Sequence, residues 1–330
     1  LDSPLIILDA DGVFLTERPY WDTALRAALE ANGIDAPSDL DWRQLTDVAF
    51  GELDLQRVTK RRGCNSNWDL AAVLTEALGA PAVRTDVVEL LEQRKWPSAI
   101  ERLSDASNDL WSRDGESDPL AGFGVNRYGE LYIAVQRAFQ SMLTQSDAFT
   151  APGDHSFCGF VRVVRAALAA LGNAGFDLAV CTGRNRSELL APLAAFNMVG
   201  CFNGQRIVTS DEVTRAERRI NSGSLGKPHW FPAACAAVGF DAGCAAVVTN
   251  RLVRGADSQI VYVGDGIADF KCVAGAQSIG LDMRYIHVRS GVTDPKQERV
   301  IAEAPTTIAV VDSLTEAIGP LLDIRQGAAS

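Results

Sequence analysis

Residues 5–13 read Leu-Ile-Ile-Leu-Asp-Ala-Asp-Gly-Val: four unbroken apolar side chains, two carboxylates one residue apart, then a glycine. A short continuous apolar run suits a strand buried on both faces of a parallel sheet, where neither face meets water. Ligands and catalytic groups of open α/β sheets gather at the carboxyl ends of the strands. Asp9 and Asp11 stand at such an end, and two carboxylates there can share a hard cation through oxygen ligands. Gly12 would let the backbone turn closely around a bound anion. The competing reading is a solvated Asp-x-Asp-Gly turn. An EF-hand loop is disfavoured, because positions 13 and 20 are Val and Tyr where it needs acids.

Comparable apolar runs recur at 177–181, 260–263 and 307–311, separated by helical patterns at 160–173, 186–197, 229–239 and 294–304. Strands alternating with helices imply an α/β layer with a parallel sheet. The stretch from about 17 to 150 has another texture, with helices expected near 22–31, 40–62, 67–78, 82–95, 97–112 and 128–145. Asn32-Gly33 and Gly79-Ala80-Pro81 read as helix stops. A Gly/Pro/Ser-rich segment at 114–126 reads as a long loop. The expected architecture is an α/β core, residues 1–16 and 150–330, interrupted after its first strand by an all-helical insert, residues 17–149.

Composition narrows the function. The 330 residues are 47% hydrophobic and 22% charged, with a net charge of −11 and a pI near 4.8. That balance argues against nucleic-acid or anionic-membrane partners. Positive charge for an anionic ligand must then be gathered locally, from five lysines: Lys60, Lys95, Lys227, Lys271 and Lys296. Seven cysteines, without zinc spacing, read as reduced thiols. With no membrane-length apolar run and no signal-peptide pattern, the expected compartment is the cytoplasm.

Three further motifs fall at strand ends or loops. Cys181-Thr182-Gly183-Arg184 offers a hydroxyl, a free Gly N–H and a guanidinium suited to phosphate oxygens; alternatively Thr182 is a helix N-cap. In Gly226-Lys227-Pro228, Lys227 could bridge a carboxylate nucleophile and a phosphoryl oxygen, or be an exposed lysine at a helix entrance. Val263-Gly264-Asp265-Gly266-Ile267-Ala268-Asp269 sets two carboxylates four residues apart, fit for a Mg²⁺ site directly or through water or Lys227. The other reading is an Asp-Gly turn with a helix-capping acid.

In this order, the four motifs resemble those of the haloacid dehalogenase-like superfamily, over residues 1–16 and about 150–285. The resemblance implies a Rossmann-like parallel-sheet core with an inserted all-helical cap domain. It also implies a Mg²⁺-dependent phosphatase acting on a small phosphate ester. Asp9 would be the nucleophile and Asp11 the general acid and base. Asp9, the Asp11 carbonyl and Asp265 would hold Mg²⁺, with Asp269 assisting. Thr182, Gly183 and Lys227 would hold phosphoryl oxygens, with Gly12 and Arg184 beside them. The second aspartate disfavours dehalogenases and phosphonate hydrolases; a β-phosphoglucomutase-type phosphomutase shares it. The alternative from another class is a binding protein that kept a phosphate pocket without turnover. In the insert, Gly63 to Leu70 is similar to a stretch in caps of a phosphoglycolate-phosphatase-like branch, and Lys60, Asn65 and Asn67 are candidate substrate contacts, against an N-cap and a solvated helix face. The segment 240–258 reads as an insertion.

Overall fold

The computed structural model describes residues 3–35, 45, 48, 49, 67–111, 129–145, 157–252, 259–290, 293 and 295–327. The chain forms two compact units, one of Leu1–Thr16 with Phe149–Ser330 and one of Glu17–Ala148.

In the first unit, β1 (Leu5–Leu8), β2 (Asp177–Cys181), β3 (Ile207–Val208), β4 (Ile260–Gly264), β5 (Met283–Val288) and β6 (Thr307–Val311) form one sheet in the order β3-β2-β1-β4-β5-β6. Every pairing is parallel. Leu8 lies opposite Val180 on one side and Val263 on the other. The chain therefore builds outward from β1 to β3, returns to β4 and builds the other way. Such a switch point opens a crevice above the strand ends, and Asp9 follows β1 directly into it.

β1 and β4 are buried along their whole length, β6 only in part, and alternate side chains feed two cores. Leu5, Ile7, Ala179, Ile260, Tyr262, Met283 and Tyr285 belong to one. Ile6, Leu8, Leu178, Val180, Val261, Val263 and Ile286 belong to the other. Each such Leu, Ile, Val or Met side chain stabilises the fold by about 1.5–3 kcal/mol on burial. The second core is closed by residues of α6 (Val161–Asn173), α7 (Arg186–Ala195) and α13 (Leu314–Gly327). The first core takes residues from α8 (Ser210–Ile220), α9 (Phe231–Val238), α10 (Phe240–Thr249), α11 (Ile267–Ser278) and α12 (Pro295–Glu303).

The second unit holds α1 (Arg18–Ala31), α2 (Asn67–Gly79), α3 (Pro81–Glu92), α4 (Trp96–Trp111) and α5 (Glu130–Gln145). It has no strand among the described residues. Inside it, Tyr132 Oη donates to Asp69 Oδ1 at 2.8 Å, both side chains buried. The helix expected at 40–62 and the loop expected at 114–126 lie outside or almost wholly outside the described residues. No helix among those described is long and apolar enough to cross a membrane.

Two strands go beyond the sequence reading. β3 has two residues, and β5 carries an exposed Arg284 and a buried His287 that break its apolar run. The reading of 240–258 as an insertion is sharpened, because its first half is α10, packed into the core through Cys244 and Ala246. A Cβ on Gly243 would stand 3.3 Å from the Cα of Cys235 and 3.3 Å from the ring of Phe231. Gly243→Val should therefore force α9 and α10 apart and destabilise the protein by about 1–3 kcal/mol. The check is the urea unfolding midpoint; an unchanged midpoint would show that the two helices separate at no cost.

Candidate active site

Asp9 continues out of β1, its N–H donating to Val263 O at 2.8 Å, so the residue is fixed beside the end of β4. Its Oδ1 accepts from the N–H of Ala10 at 2.8 Å. Lys227 reaches in from the loop before α9: its Nζ lies 2.8 Å from Asp9 Oδ1 and 2.6 Å from Asp269 Oδ1. The exposed-lysine reading fails here, since the Lys227 side chain is 14% exposed.

Asp269 divides its work between two oxygens. Oδ2 accepts from the Gly266 N–H at 3.2 Å, capping α11, while Oδ1 takes Lys227 and the hydroxyl of Tyr262 at 3.0 Å. The capping reading and the ion-pair reading of this residue thus both hold, one per oxygen. Two glycines make room. A Cβ on Gly264 would stand 2.7 Å from the Cβ of Asp269, and one on Gly12 would fall 2.0 Å from Asp265 Oδ2. Gly12 also has φ +73°, a backbone angle that glycine adopts without strain.

Asp9, Asp265 and Asp269 are all buried, and each offers an oxygen within 4.8 Å of the others. One ammonium pairs with two of these three carboxylates, Asp9 and Asp269. Burial and then Asp269 raise the Asp9 carboxyl well above its ordinary value, against the pull of Lys227, with Asp265 and Asp11 adding to the rise. Burial opposes the charge on Lys227, yet Asp269 and Asp9 raise its pKa well above that of a free lysine. Burying like charges this close is costly without a counter-charge. The donor set is all oxygen, so a hard divalent cation such as Mg²⁺ fits it.

Thr182 and Arg184 follow β2. The N-cap of α7 is Asn185, whose side chain accepts from the Glu188 N–H, so Thr182 does not cap that helix. Thr182 donates its N–H to Val208 O, and its Oγ1 accepts from the Arg184 N–H at 3.2 Å. Gly183 is exposed, its φ is not positive, and a Cβ there would meet nothing within 4 Å. Arg184 was expected on phosphate; in the structure its guanidinium holds Asp11, with Nη2 at 2.5 Å and Nε at 3.0 Å from Oδ1. Lys60 and Asn65 lie outside the described residues, and Asn67 opens α2 with its side chain outside them.

No protein-family model and no curated protein matches the sequence. Solved structures do. A target of the Northeast Structural Genomics Consortium is similar at TM-score 0.69 and 20% identity, over 98% of this chain and 99% of its own. A provisionally described haloacid dehalogenase-like hydrolase from Bacteroides fragilis aligns over 96% of this chain and 100% of its own, at TM-score 0.49 and 11% identity. A predicted phosphoglycolate phosphatase from Haemophilus somnus aligns over 97% and 98%, at 0.48 and 14%. At 20% identity, the likeness to the first of these is one of fold.

Around the motif residues of the core stand three groups that sequence reading did not pick out. Tyr262 links Asp269 to the Cys181 carbonyl, 3.3 Å from its hydroxyl. Thr293 donates to Asp265 O at 2.6 Å. His287, opposite Gly264 in β5, is fully buried. Tyr262 could have been sought as a polar tip on an otherwise apolar strand, whereas nothing around Thr293 signals its contact.

Two outcomes follow. Burial, with Arg289 adding to it and Asp269 opposing, pushes His287 down to about 4. The folded protein then refuses a proton that the unfolded chain binds at about pH 6.5. This group's share of stability is complete above about pH 6.5 and lost as pH falls toward 4, by roughly 3 kcal/mol. His287→Leu should flatten that limb of the stability–pH curve, and an unchanged limb would show that another group sets it. Separately, Gly12→Ala should displace Asp265. Mg²⁺ should raise the unfolding temperature of the wild type, and the variant should lose that response while keeping its circular dichroism.

Proposed function

We propose that this chain is a Mg²⁺-dependent phosphatase that hydrolyses a small phosphate monoester through an aspartyl-phosphate on Asp9. What carries the reading is the Lys227 ammonium, 2.8 Å from Asp9 Oδ1 at a strand end, inside a buried set of carboxylates. An ammonium there keeps the nucleophile oriented and would offset repulsion between its charge and that of an incoming phosphoryl group.

In the first displacement an Asp9 oxygen attacks phosphorus while the ester oxygen departs, taking a proton from Asp11. In the second, water attacks the aspartyl-phosphate and gives its proton to Asp11, which restores the starting state. The Thr182 hydroxyl can donate to a phosphoryl oxygen while its own oxygen accepts from Arg184 N. The bare, exposed backbone at Gly183 admits close approach of an anion, a use that explains a glycine which neither turn geometry nor packing requires. Asp9, Asp265 and the Asp11 carbonyl would hold Mg²⁺, with Asp269 completing the cluster and anchoring Lys227. Bound there, the ion supplies neutralisation of charge on the transferring phosphoryl group. Substrate selection is assigned to the 17–149 insert, acting as a cap domain, with Lys60, Asn65 and Asn67 as its candidate contacts.

With 4-nitrophenyl phosphate and a panel of small phosphate esters, the wild type should turn over with Mg²⁺ and stop with EDTA. Asp9→Asn should lose more than about a thousandfold in kcat while keeping its unfolding temperature within a few degrees. A wild type without metal-dependent release of phosphate from any ester would overturn the assignment.

A further inference from the structure

The Asp11–Arg184 pair is unevenly buried. The Arg184 side chain is 1% exposed and that of Asp11 21%. Solvent, and so any ligand, meets the carboxylate and not the guanidinium. Arg184 is held from several directions. Its N–H donates to Thr182 Oγ1 at 3.2 Å, its carbonyl accepts from Ser210 N at 2.9 Å, and Nη2 donates to Thr16 O at 2.9 Å. Thr16 is the last residue of the first unit before the insert. The guanidinium meets the two Asp11 oxygens unequally: Oδ1 takes Nη2 at 2.5 Å and Nε at 3.0 Å, while Oδ2 has, among the described residues, only the longer Nε contact of 3.2 Å. Oδ2 is thus the less engaged oxygen, with room to carry a proton.

From this geometry we infer that Arg184 is a positioning residue for Asp11 and not a contact to the substrate's phosphate. The inference rests on the phosphatase reading above. A carboxyl that must both give and take a proton has to present one oxygen at a fixed place, and a planar fork on the other oxygen does that. The same residue supports the Thr182 hydroxyl, so the phosphate-binding turn and the proton-transferring group share one brace. The proton moves from Asp11 Oδ2 to the departing ester oxygen as the P–O bond breaks, and Arg184 keeps its own protons throughout.

General acid help matters most when the leaving group is a poor one. A 4-nitrophenolate departs with little need of a proton, whereas an alkoxide needs one. The test is kcat/KM, which reports the displacement that expels the leaving group, across a series from 4-nitrophenyl through phenyl to alkyl phosphates. Arg184→Ala and the bulkier Arg184→Gln, whose folding is checked by circular dichroism, are compared with Asp11→Asn and with the double variant Asp11→Asn/Arg184→Ala. The expected result is a graded loss, less than about fivefold on the 4-nitrophenyl ester and about a hundredfold on the alkyl ester. It should match Asp11→Asn in slope, and the double variant should be no worse than Asp11→Asn alone. Two results overturn the inference: an even loss across the series, as a misfolded site or a lost phosphate contact gives, or losses that multiply in the double variant. A wild type inactive on every ester strikes the phosphatase reading instead, so the two failures are told apart.

Discussion

The contact on which the site depends is the Lys227 ammonium between Asp9 and Asp269. Charged groups leave water only if they are paired, and removing one partner from a buried ion pair commonly costs about 3–5 kcal/mol because it strands the other. Here the pair is a trio: one cation spans a carboxylate at the end of β1 and one in the first turn of α11, and a third carboxylate stands within reach. The parallel register of β1 and β4 is what sets Asp9 next to Val263. The apolar sheet and the charged cluster above it are therefore not separate designs. Sliding either strand by one residue would exchange its core-facing side chains and pull the carboxylates out of reach of the ammonium.

Bare backbone does as much as charge. Gly12 and Gly264 leave the volume into which the carboxylates of Asp265 and Asp269 fit, while Gly183 leaves a surface with no neighbour to crowd. The first two are demanded by the folded protein as it stands. The third is required by neither packing nor backbone angle. Asp269 shows a related economy, since the oxygen that caps α11 fixes the orientation of the oxygen that meets Lys227 and Tyr262.

Much of this was legible in the sequence because the fold writes itself in unbroken apolar runs. β1, β2, β4 and β6 are such runs, and each chemical motif sits just beyond one or in a loop. β5 was not legible, because Arg284 and His287 interrupt it, and β3 is too short to leave a pattern. α10 leaves little trace in the sequence: its Phe-Asp-Ala-Gly-Cys-Ala-Ala-Val-Val-Thr run has too few large side chains to show a helical stripe, although small residues are what close packing against α9 needs. In the site, residues that share a motif could be read together. The Arg184–Asp11 contact joins two motifs through side-chain geometry alone, across 173 positions, and no spacing rule reaches it. The anchoring of Asp265 by Thr293 is hidden for the same reason.

The turn that follows Asp9 ties its own ends. Asp11 and Leu15 form a bridge, Leu15 bridges Phe157, and Cys158 N donates to Phe14 O at 3.1 Å. The points where the chain leaves and re-enters the sheet-bearing unit are thus stitched to each other within that unit. Closing a loop costs entropy that grows only with the logarithm of its length, about 0.6 kcal/mol for each doubling. With the stitch in place, the sheet is nearly indifferent to how many residues lie between Thr16 and Phe157. Chain length can therefore be gained or lost there at little thermodynamic cost, while the carboxylates a few residues upstream keep their places.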